Sequence, residues 1–417
     1  FFRRRMEKAV AQLNTRLTRP IEPFKLARRH DMIQRLIYDG EVWAAISEHA
    51  RAEGVPENVA FERARRYARE IVPSFSATLY YGFAIRFARF LSRKLYRVRL
   101  GHHAADTLGS IDRNATVVFV MNHRSNMDYV LVTYLAAEQS ALSYAVGEWA
   151  RVWPLSRLIR AMGAYFIRRR SRGELYRRVL ARYVALATEG GVTQAVFPEG
   201  GLSLDGALAK PKLGILRYIV DGYDAEERDV VFIPVAINYD RVFEDKSLVA
   251  AGQRGDRRFG ARISVVVKYI WRITWRWATG RYHRFGYAAV SFGAPLSLRA
   301  FAGTKPPLIE DLASDLMQRI GAVVPVLPVP LAASVFLSAK APLSFAEYSE
   351  AFCAVIEAMP EAHIHAPRED MDYAVEYGLR NLVARGFVNE TEGVYSATDE
   401  GRPLLQYYAN SIAHLLR

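Results

Sequence analysis

The sequence predicts an α/β fold with a mostly parallel sheet and flanking helices. To this it joins a helical N-terminal domain and a small C-terminal helical, winged-helix-like domain. Three observations predict it. Between about 110 and 300, short β-rich runs alternate with stretches of helical length, the pattern of strands joined by helical crossovers. Each run ends in a polar cluster, and open parallel sheets bind ligands beyond the carboxyl ends of their strands. Outside that window, before 100 and after 340, the texture is helical. The domains are accordingly read as 1–100, 101–325 and 326–417.

Composition bounds the function. The 417 residues are 51% hydrophobic, enough for a sizeable core. Lys and Arg number 57 against 43 Asp and Glu, a net charge of +14 that asks for a polyanionic partner: nucleic acid, an anionic bilayer or a phosphorylated substrate. The single Cys353 excludes an internal disulfide and a cysteine-based zinc site, and it fits a reducing compartment. The N-terminus, FFRRRMEKAVAQLNTRL, is basic and amphipathic with no secretory h-region behind it, and a chain without an initiating Met is compatible with a fragment. No uncharged apolar run of about 18 residues occurs, so no spanning helix is expected.

In the N-terminal region Leu79, Phe83, Phe87, Phe90 and Leu91 recur at helical spacing beside Arg86, Arg89, Arg93 and Arg97. A helix lying on an anionic membrane has this pattern, and so does a core helix with a solvated face. The central strands are expected at Val117–Met121, Ala164–Ile167, Thr193–Phe197, Val230–Asn238 and Ala288–Phe292. Helices are expected at Tyr129–Ala137, Gly173–Thr188 and Lys212–Val220. In KYIWRITWRWATGRYHR, Lys268, Arg272 and Arg276 run beside Trp271 and Trp275, which suits a bilayer interface as a helix or one apolar face as a strand. After the Pro-rich VPVLPVPL come a helix, a second near Met371–Arg385, a hairpin through Phe387–Ala397 and a last helix from Asp399. That order fits a winged helix and, with the net charge, is the best argument for DNA binding, but the apolar Leu404, Leu405, Tyr407, Tyr408, Ile412 and Leu415 suggest docking on a neighbour, and no nucleic acid is expected. His102 with His103 and His363 with His365 lack a ligand constellation, so no metal is expected.

The chemistry gathers after the strands. His123 and Asp128 flank the turn after the first, where the carboxylate can orient the imidazole as a general base for a hydroxyl. Ser125 or Asn126 caps the following helix, with Asp128 in its first turn. Arg168, Arg169 and Arg170 follow the second strand, with planar forks suited to phosphate oxygens. PEGGLSLDG follows the third, and the bare N–H groups of Gly200 and Gly201 can approach an anion. Lys210 and Lys212 add charge downstream. The fourth strand carries Ile233, Pro234 and Val235 and ends in Asn238, Tyr239, Asp240 and Arg241. A base, an anion cradle and an oxyanion-like turn describe acyl or phosphoryl transfer, and the absence of a P-loop argues against nucleotide hydrolysis.

NHRSNMD resembles the HxxxxD signature of the glycerolipid acyltransferases, and its setting resembles the glycerol-3-phosphate acyltransferase family. The family's second block is matched by Gly163, Phe166, Ile167, Arg168 and Arg169, the third by Phe197, Glu199, Gly200 and Ser203, and the fourth by Ile233, Pro234 and Val235. The resemblance implies an acyltransferase fold and transfer of a fatty acyl group from acyl-CoA or acyl carrier protein to the sn-1 hydroxyl of glycerol 3-phosphate, without metal or cofactor. His123 would be the base and Asp128 its orienting group. Arg124, Ser125, Arg168, Arg169, Glu199, Gly200, Gly201, Ser203, Lys212 and Pro234 would line the substrate sites, with Arg168 and Arg169 on the acceptor phosphate. It also implies a peripheral seat on the cytoplasmic face of an anionic inner membrane. Leu202 and Leu204 stand where the family commonly has arginines, so either other cations compensate or the acceptor differs, lysophosphatidate or dihydroxyacetone phosphate being the alternatives. A catalytically silent binding scaffold is the reading from another class.

Overall fold

The structure, a computed structural model, describes residues 14, 15, 17, 19–103, 109, 111–136, 141–147, 155–168, 173–224, 226–255, 285–303 and 309–416. Its centre is an eight-stranded sheet. The strands are β1 (Arg97–His103), β2 (Thr116–Met121), β3 (Ser143–Val146), β4 (Tyr165–Phe166), β5 (Gln194–Val196), β6 (Val230–Tyr239), β7 (Tyr287–Phe292) and β8 (Leu296–Ser297). They lie in the order β1-β7-β6-β2-β5-β3-β4, with β8 also on β6. From β6 to β4 every pairing is parallel, whereas β7 and β8 run antiparallel to β6 and β1 runs parallel to β7. All five expected strands are present, at most two residues shifted at either end. β1, β3 and β8 are not expected from the sequence, β1 because its RVRLGHH continues a basic helical pattern, β3 and β8 because SYAV and LS are only four and two residues long.

The alternation of side chains along β2 and β6 splits the core in two. On one face Val118, Val120, Phe232 and Ala236 pack against the N-terminal helices α1 (Arg29–Ile37), α2 (Gly40–Glu53) and α3 (Glu57–Ile71). On the other, Val117, Phe119, Met121, Ile233, Val235 and Ile237 share a cluster with the C-terminal residues Val326, Leu331, Phe336, Leu382 and Leu405. Helices α1–α3 and the C-terminal residues thus cover opposite faces of one sheet, and β1 carries the N-terminal segment into it.

Helix α4 (Ile85–Leu95) continues from a π-helical turn at Tyr80–Ala84 and packs along α5 (Met127–Ala136), with Arg93 Nε donating to Tyr134 Oη at 3.2 Å. Phe83 of that turn and Phe87 and Phe90 of the helix face solvent, 49%, 47% and 56% exposed, so the aromatic stripe is a surface rather than a core face. The helices that complete the sheet's flanks are α6 (Glu174–Glu189), α7 (Gly214–Asp221), α8 (Asp245–Gln253) and α9 (Ile309–Ala322).

The C-terminal unit runs α10 (Pro328–Ser338), β9 (Leu343–Ser344), α11 (Phe345–Glu357), α12 (Met371–Ala384), β10 (Val388–Thr391) and β11 (Val394–Ala397), with sheet order β10-β11-β9. Helix, strand, two helices and a hairpin are the element order of a winged helix. Helix α13 (Arg402–Ala409) then docks on α10 and α8 through buried Leu405, Tyr407 and Tyr408. Two buried carboxylates tie this unit to the sheet domain. Asp240 accepts from the N–H groups of Tyr287 at 2.9 Å and Val329 at 3.1 Å, and Asp245 accepts from Arg385 and from Tyr408 Oη. The stretch KYIWRITWRWATGRYHR lies outside the described residues, as do Arg169, Arg170 and the side chains of His102 and His103.

Candidate active site

The site forms where β6, β2 and β5, neighbours at the centre of the sheet, end together. Just past β2, Asn122 prolongs the ladder with its side chain: Nδ2 donates to Ile237 O at 2.9 Å and Oδ1 accepts from Ile237 N–H at 2.8 Å. This fixes where the chain leaves the sheet. His123 follows, 1% exposed, its Nδ1 3.0 Å from Asp128 Oδ2. The same carboxylate oxygen accepts from the N–H groups of Arg124 at 2.7 Å and Ser125 at 3.0 Å, and Oδ1 accepts from Tyr239 Oη at 2.6 Å. Four partners on one buried carboxylate fix its position and orientation. With Nδ1 engaged, Nε2 is the ring nitrogen left for a substrate.

Phe197 stacks on the imidazole at 4.1 Å between centroids, and Tyr129 meets it edge-on at 5.4 Å. Glu199 accepts the His123 N–H at 3.0 Å on one oxygen and the Ala209 N–H at 3.2 Å on the other. Burial pushes this carboxyl up to about 7, with those two N–H groups and the Arg124 charge pulling it back. Ser203 N–H donates to His123 O at 2.9 Å, and its hydroxyl closes the 203–207 turn by donating to Ala207 O at 2.9 Å and accepting from Gly206 N–H at 3.0 Å.

Ser125 Oγ accepts from the Met127 N–H at 3.1 Å, the expected cap, and donates to Glu244 Oε2 at 2.7 Å. Glu244 also takes both donors of Asn126, at 3.2 and 3.0 Å, and its burial raises its pKa. Glu244 escapes the sequence reading, because it belongs to no spacing pattern and acts across more than a hundred residues; Asn122 opens NHRSNMD, but nothing local announces its bonds to Ile237.

A cavity of about 1020 Å³ opens beside the histidine. His123, Glu199, Gly200, Gly201, Ser203 and Lys212 line it, with Leu202, Leu204 and Lys210. Its other walls come from α8 and α13. Gly200, at φ +68°, makes room for a cation: a Cβ there would sit 2.6 Å from Lys212 Cδ and 3.2 Å from Nζ. Its own N–H closes a turn on Phe197 O at 3.0 Å and so is not aimed at an anion.

Other expected residues lie elsewhere. Arg168 is not among the lining residues. It sits beyond β4, three strand spacings or about 14 Å from β2, and its fork grips Glu70 of α3 at 2.8 and 2.6 Å between the rings of Tyr67 and Tyr176. The turns after β2, β5 and β6 meet here, and Arg168 after β4 does not. Pro234 lies mid-strand opposite Val120, buried in the sheet rather than at its end. Arg124 and Ser125 are buried beneath the cavity wall. Among the described residues no group of three or more His, Cys, Asp or Glu is arranged to hold a metal.

Comparison with known proteins agrees with this geometry. Residues 103–238 match the acyltransferase family model, and 276–417 match the model of the glycerol-3-phosphate acyltransferase C-terminal region. Glycerol-3-phosphate acyltransferases from Alteromonas mediterranea and Xanthomonas campestris are each 27% identical over 94% of this chain, covering 50% and 46% of their own length. One from Shewanella loihica is 29% identical over 75% of this chain and 37% of its own. The chain thus spans about half the length of the curated relatives it matches. The crystal structure of the 1-acyl-sn-glycerophosphate (LPA) acyltransferase PlsC from Thermotoga maritima covers 70% of this chain and 95% of its own at 18% identity, with a TM-score of 0.36, too low to carry an inference. The two family models in series, and relatives over nearly its whole length, make this chain a member of the glycerol-3-phosphate acyltransferase family.

Proposed function

We propose that this chain moves a fatty acyl group from a thioester donor, acyl-CoA or acyl carrier protein, to the sn-1 hydroxyl of glycerol 3-phosphate, releasing lysophosphatidate and a free thiol. The observation that carries the reading is the buried His123–Asp128 pair beside a cavity whose described lining cations are Lys210 and Lys212. His123 Nε2 takes the hydroxyl proton as the oxygen attacks the thioester carbonyl, and Asp128 stabilises the imidazolium. The tetrahedral intermediate collapses, the C–S bond breaks, and the imidazolium returns its proton to the leaving thiolate. Lys212, seated over Gly200, and Lys210 hold the acceptor phosphate. No metal or cofactor enters the scheme.

A second reading keeps the chemistry and takes lysophosphatidate as acceptor. It is favoured by the apolar wall of Leu202, Leu204, Leu248 and Val249. Thioester consumption by the full chain with palmitoyl-CoA tests both, run without acceptor, with glycerol 3-phosphate and with lysophosphatidate, beside His123→Ala. Acceptor-dependent product lost in the variant supports the reaction and names the acceptor. No turnover with any acceptor or carrier in lipid would leave the binding-scaffold reading standing.

The bilayer belongs to the same proposal. No helix among the described residues is long and apolar enough to cross a membrane. Phe83, Phe87 and Phe90 are exposed together beside the exposed Arg86, Arg89 and Arg93, a pairing suited to an anionic surface. Flotation with anionic vesicles is expected to enrich the wild type and not the triple Phe→Ser variant. Equal flotation of both would move the contact elsewhere.

A further inference from the structure

The cavity wall farthest from the catalytic turn in sequence is α13. Pro403, Gln406, Tyr407 and Asn410 line the cavity against the end of the 199–205 turn. Three contacts fasten them there. Asn410 Nδ2 donates to Asp205 O at 2.8 Å. Gly206, at φ +88°, runs so close beneath Tyr407 that a Cβ would lie 1.8 Å from the tyrosine's carbonyl oxygen. The third contact is Arg124, which donates through Nη1 to Gly206 O while its guanidinium carbon lies 5.1 Å from the centroid of the Tyr407 ring.

Arg124 is an unusual cation. It is 3% exposed, and its Nε and Nη2 have no hydrogen-bond partner among the described residues. A buried guanidinium short of hydrogen-bond partners is costly, and what compensates it is one carbonyl, the nearby Glu199 carboxyl and the electron-rich face of Tyr407. The hydroxyl of that tyrosine, also buried, likewise has no partner among the described residues, so the ring alone makes the contact. The backbone N–H of the same Arg124 is the 2.7 Å donor to Asp128 Oδ2. Ring, guanidinium, backbone, carboxylate and imidazole therefore form one continuous line from the C-terminal region to the base.

We propose that Tyr407 is a positioning residue for the His123–Asp128 pair, acting through the stacked Arg124, so that the C-terminal region is a working wall of the active site. The effect on turnover rests on the acyl-transfer reading above, but the positioning does not. The charged and titratable groups around His123 are Asp128 and the edge-on Tyr129 on α5, Arg124 in its own turn, Glu199 after β5, Tyr239 on β6 behind Asp128, Glu244 behind Ser125, and Lys210 and Lys212 lining the cavity.

The test compares Tyr407→Phe and Tyr407→Leu in the full chain, reading kcat, both KM values and the low-field proton resonance of the His123 Nδ1–H bonded to Asp128. That resonance is assigned by its loss in His123→Gln. Tyr407→Phe is expected to keep kcat within twofold and the resonance in place. Tyr407→Leu is expected to lower kcat at least tenfold, change either KM less than threefold, and shift or abolish the resonance while the protein stays folded. A leucine variant with unmoved resonance and kcat overturns the proposal, as does a phenylalanine variant as damaged as the leucine one. Should the leucine variant not fold, Arg124→Gln reads the same line from its other end with the same expectations. A wild type that shows the resonance but turns over no acceptor sinks the acyl-transfer reading and leaves the positioning to the resonance alone.

Discussion

Tyr239 donates its hydroxyl to Asp128 Oδ1 at 2.6 Å, joining the end of β6 to the first turn of α5 across 111 residues of sequence. Burial first, and then the charge of Asp128, raise the pKa of the phenol well above its usual value, so it stays a neutral donor throughout the working pH range. Tyr239→Phe removes one charge-assisted bond to a buried carboxylate, worth about 1.5–3 kcal/mol. The expected outcome is a roughly tenfold fall in kcat, since such a bond counts only in so far as it strengthens when the imidazolium forms. Asp128→Asn, which disturbs the tautomer itself, is expected to cost about 10³-fold or more. Kinetics at saturating substrates check the order of the two, and a phenylalanine variant as impaired as the asparagine one would contradict it.

The sequence carried much of this. The buried strand, polar turn and helix from Thr116 to Ala136 were legible because hydrophobic runs and caps are local signals, and His123 with Asp128 came with them. The convergence of the turns after β2, β5 and β6 followed from the rule for parallel sheets. Arg168 was misplaced because that rule does not give the order of strands: β3, too short to read, stands between β4 and β5 and moves Arg168 away from the cavity. Glu244 and Tyr407 reach the site only through tertiary contacts, which no spacing announces.

Glu199 predicts a pH dependence of stability. Burial lifts its folded-state pKa to about 7, above the ordinary carboxylate range it has when unfolded. The folded protein therefore holds a proton that the unfolded chain releases near pH 4.5. Its contribution is fully present below that pH and is lost as pH rises through about 7. At about 1.4 kcal/mol per pKa unit the effect is on the order of 3 kcal/mol. Asp240, also raised to about 7 by burial, has the same sign. Thermal unfolding of the wild type should weaken between pH 5 and pH 8. Glu199→Gln, which mimics the protonated acid, should flatten part of that slope, and an unchanged slope would show that the carboxyl titrates normally.

Arg168 and the cavity lysines separate stability from acceptor binding. Arg168→Ala strips the fork from Glu70, which is 7% exposed, and removes two charge-assisted bonds from a buried carboxylate. The half-open arginine discounts the loss to about 1–3 kcal/mol. Its expected signature is a lower Tm with acceptor KM within about twofold. Lys212→Met is expected to do the reverse, raising acceptor KM about tenfold or more with little change in Tm. Were Arg168→Ala to raise acceptor KM selectively, the phosphate would lie near β4 and the assignment to Lys212 would fail.

Gly200 is where backbone conformation and charge placement meet. At φ +68° an L side chain is disfavoured by about 1–2 kcal/mol, and its Cβ would press on Lys212 Cδ at 2.6 Å. The lysine stem is flexible, so the contact is relieved by moving Lys212 rather than by breaking the turn, which Gly200 N–H and Glu199 still hold. Gly200→Ala should therefore raise acceptor KM about tenfold and leave kcat within about threefold. In the Lys212→Met background the same substitution should add almost nothing to KM, because the cation it displaces is already gone. Additive effects on KM would mean that the alanine acts on the turn itself, and that Gly200 is there for the chain's path rather than for the lysine it accommodates.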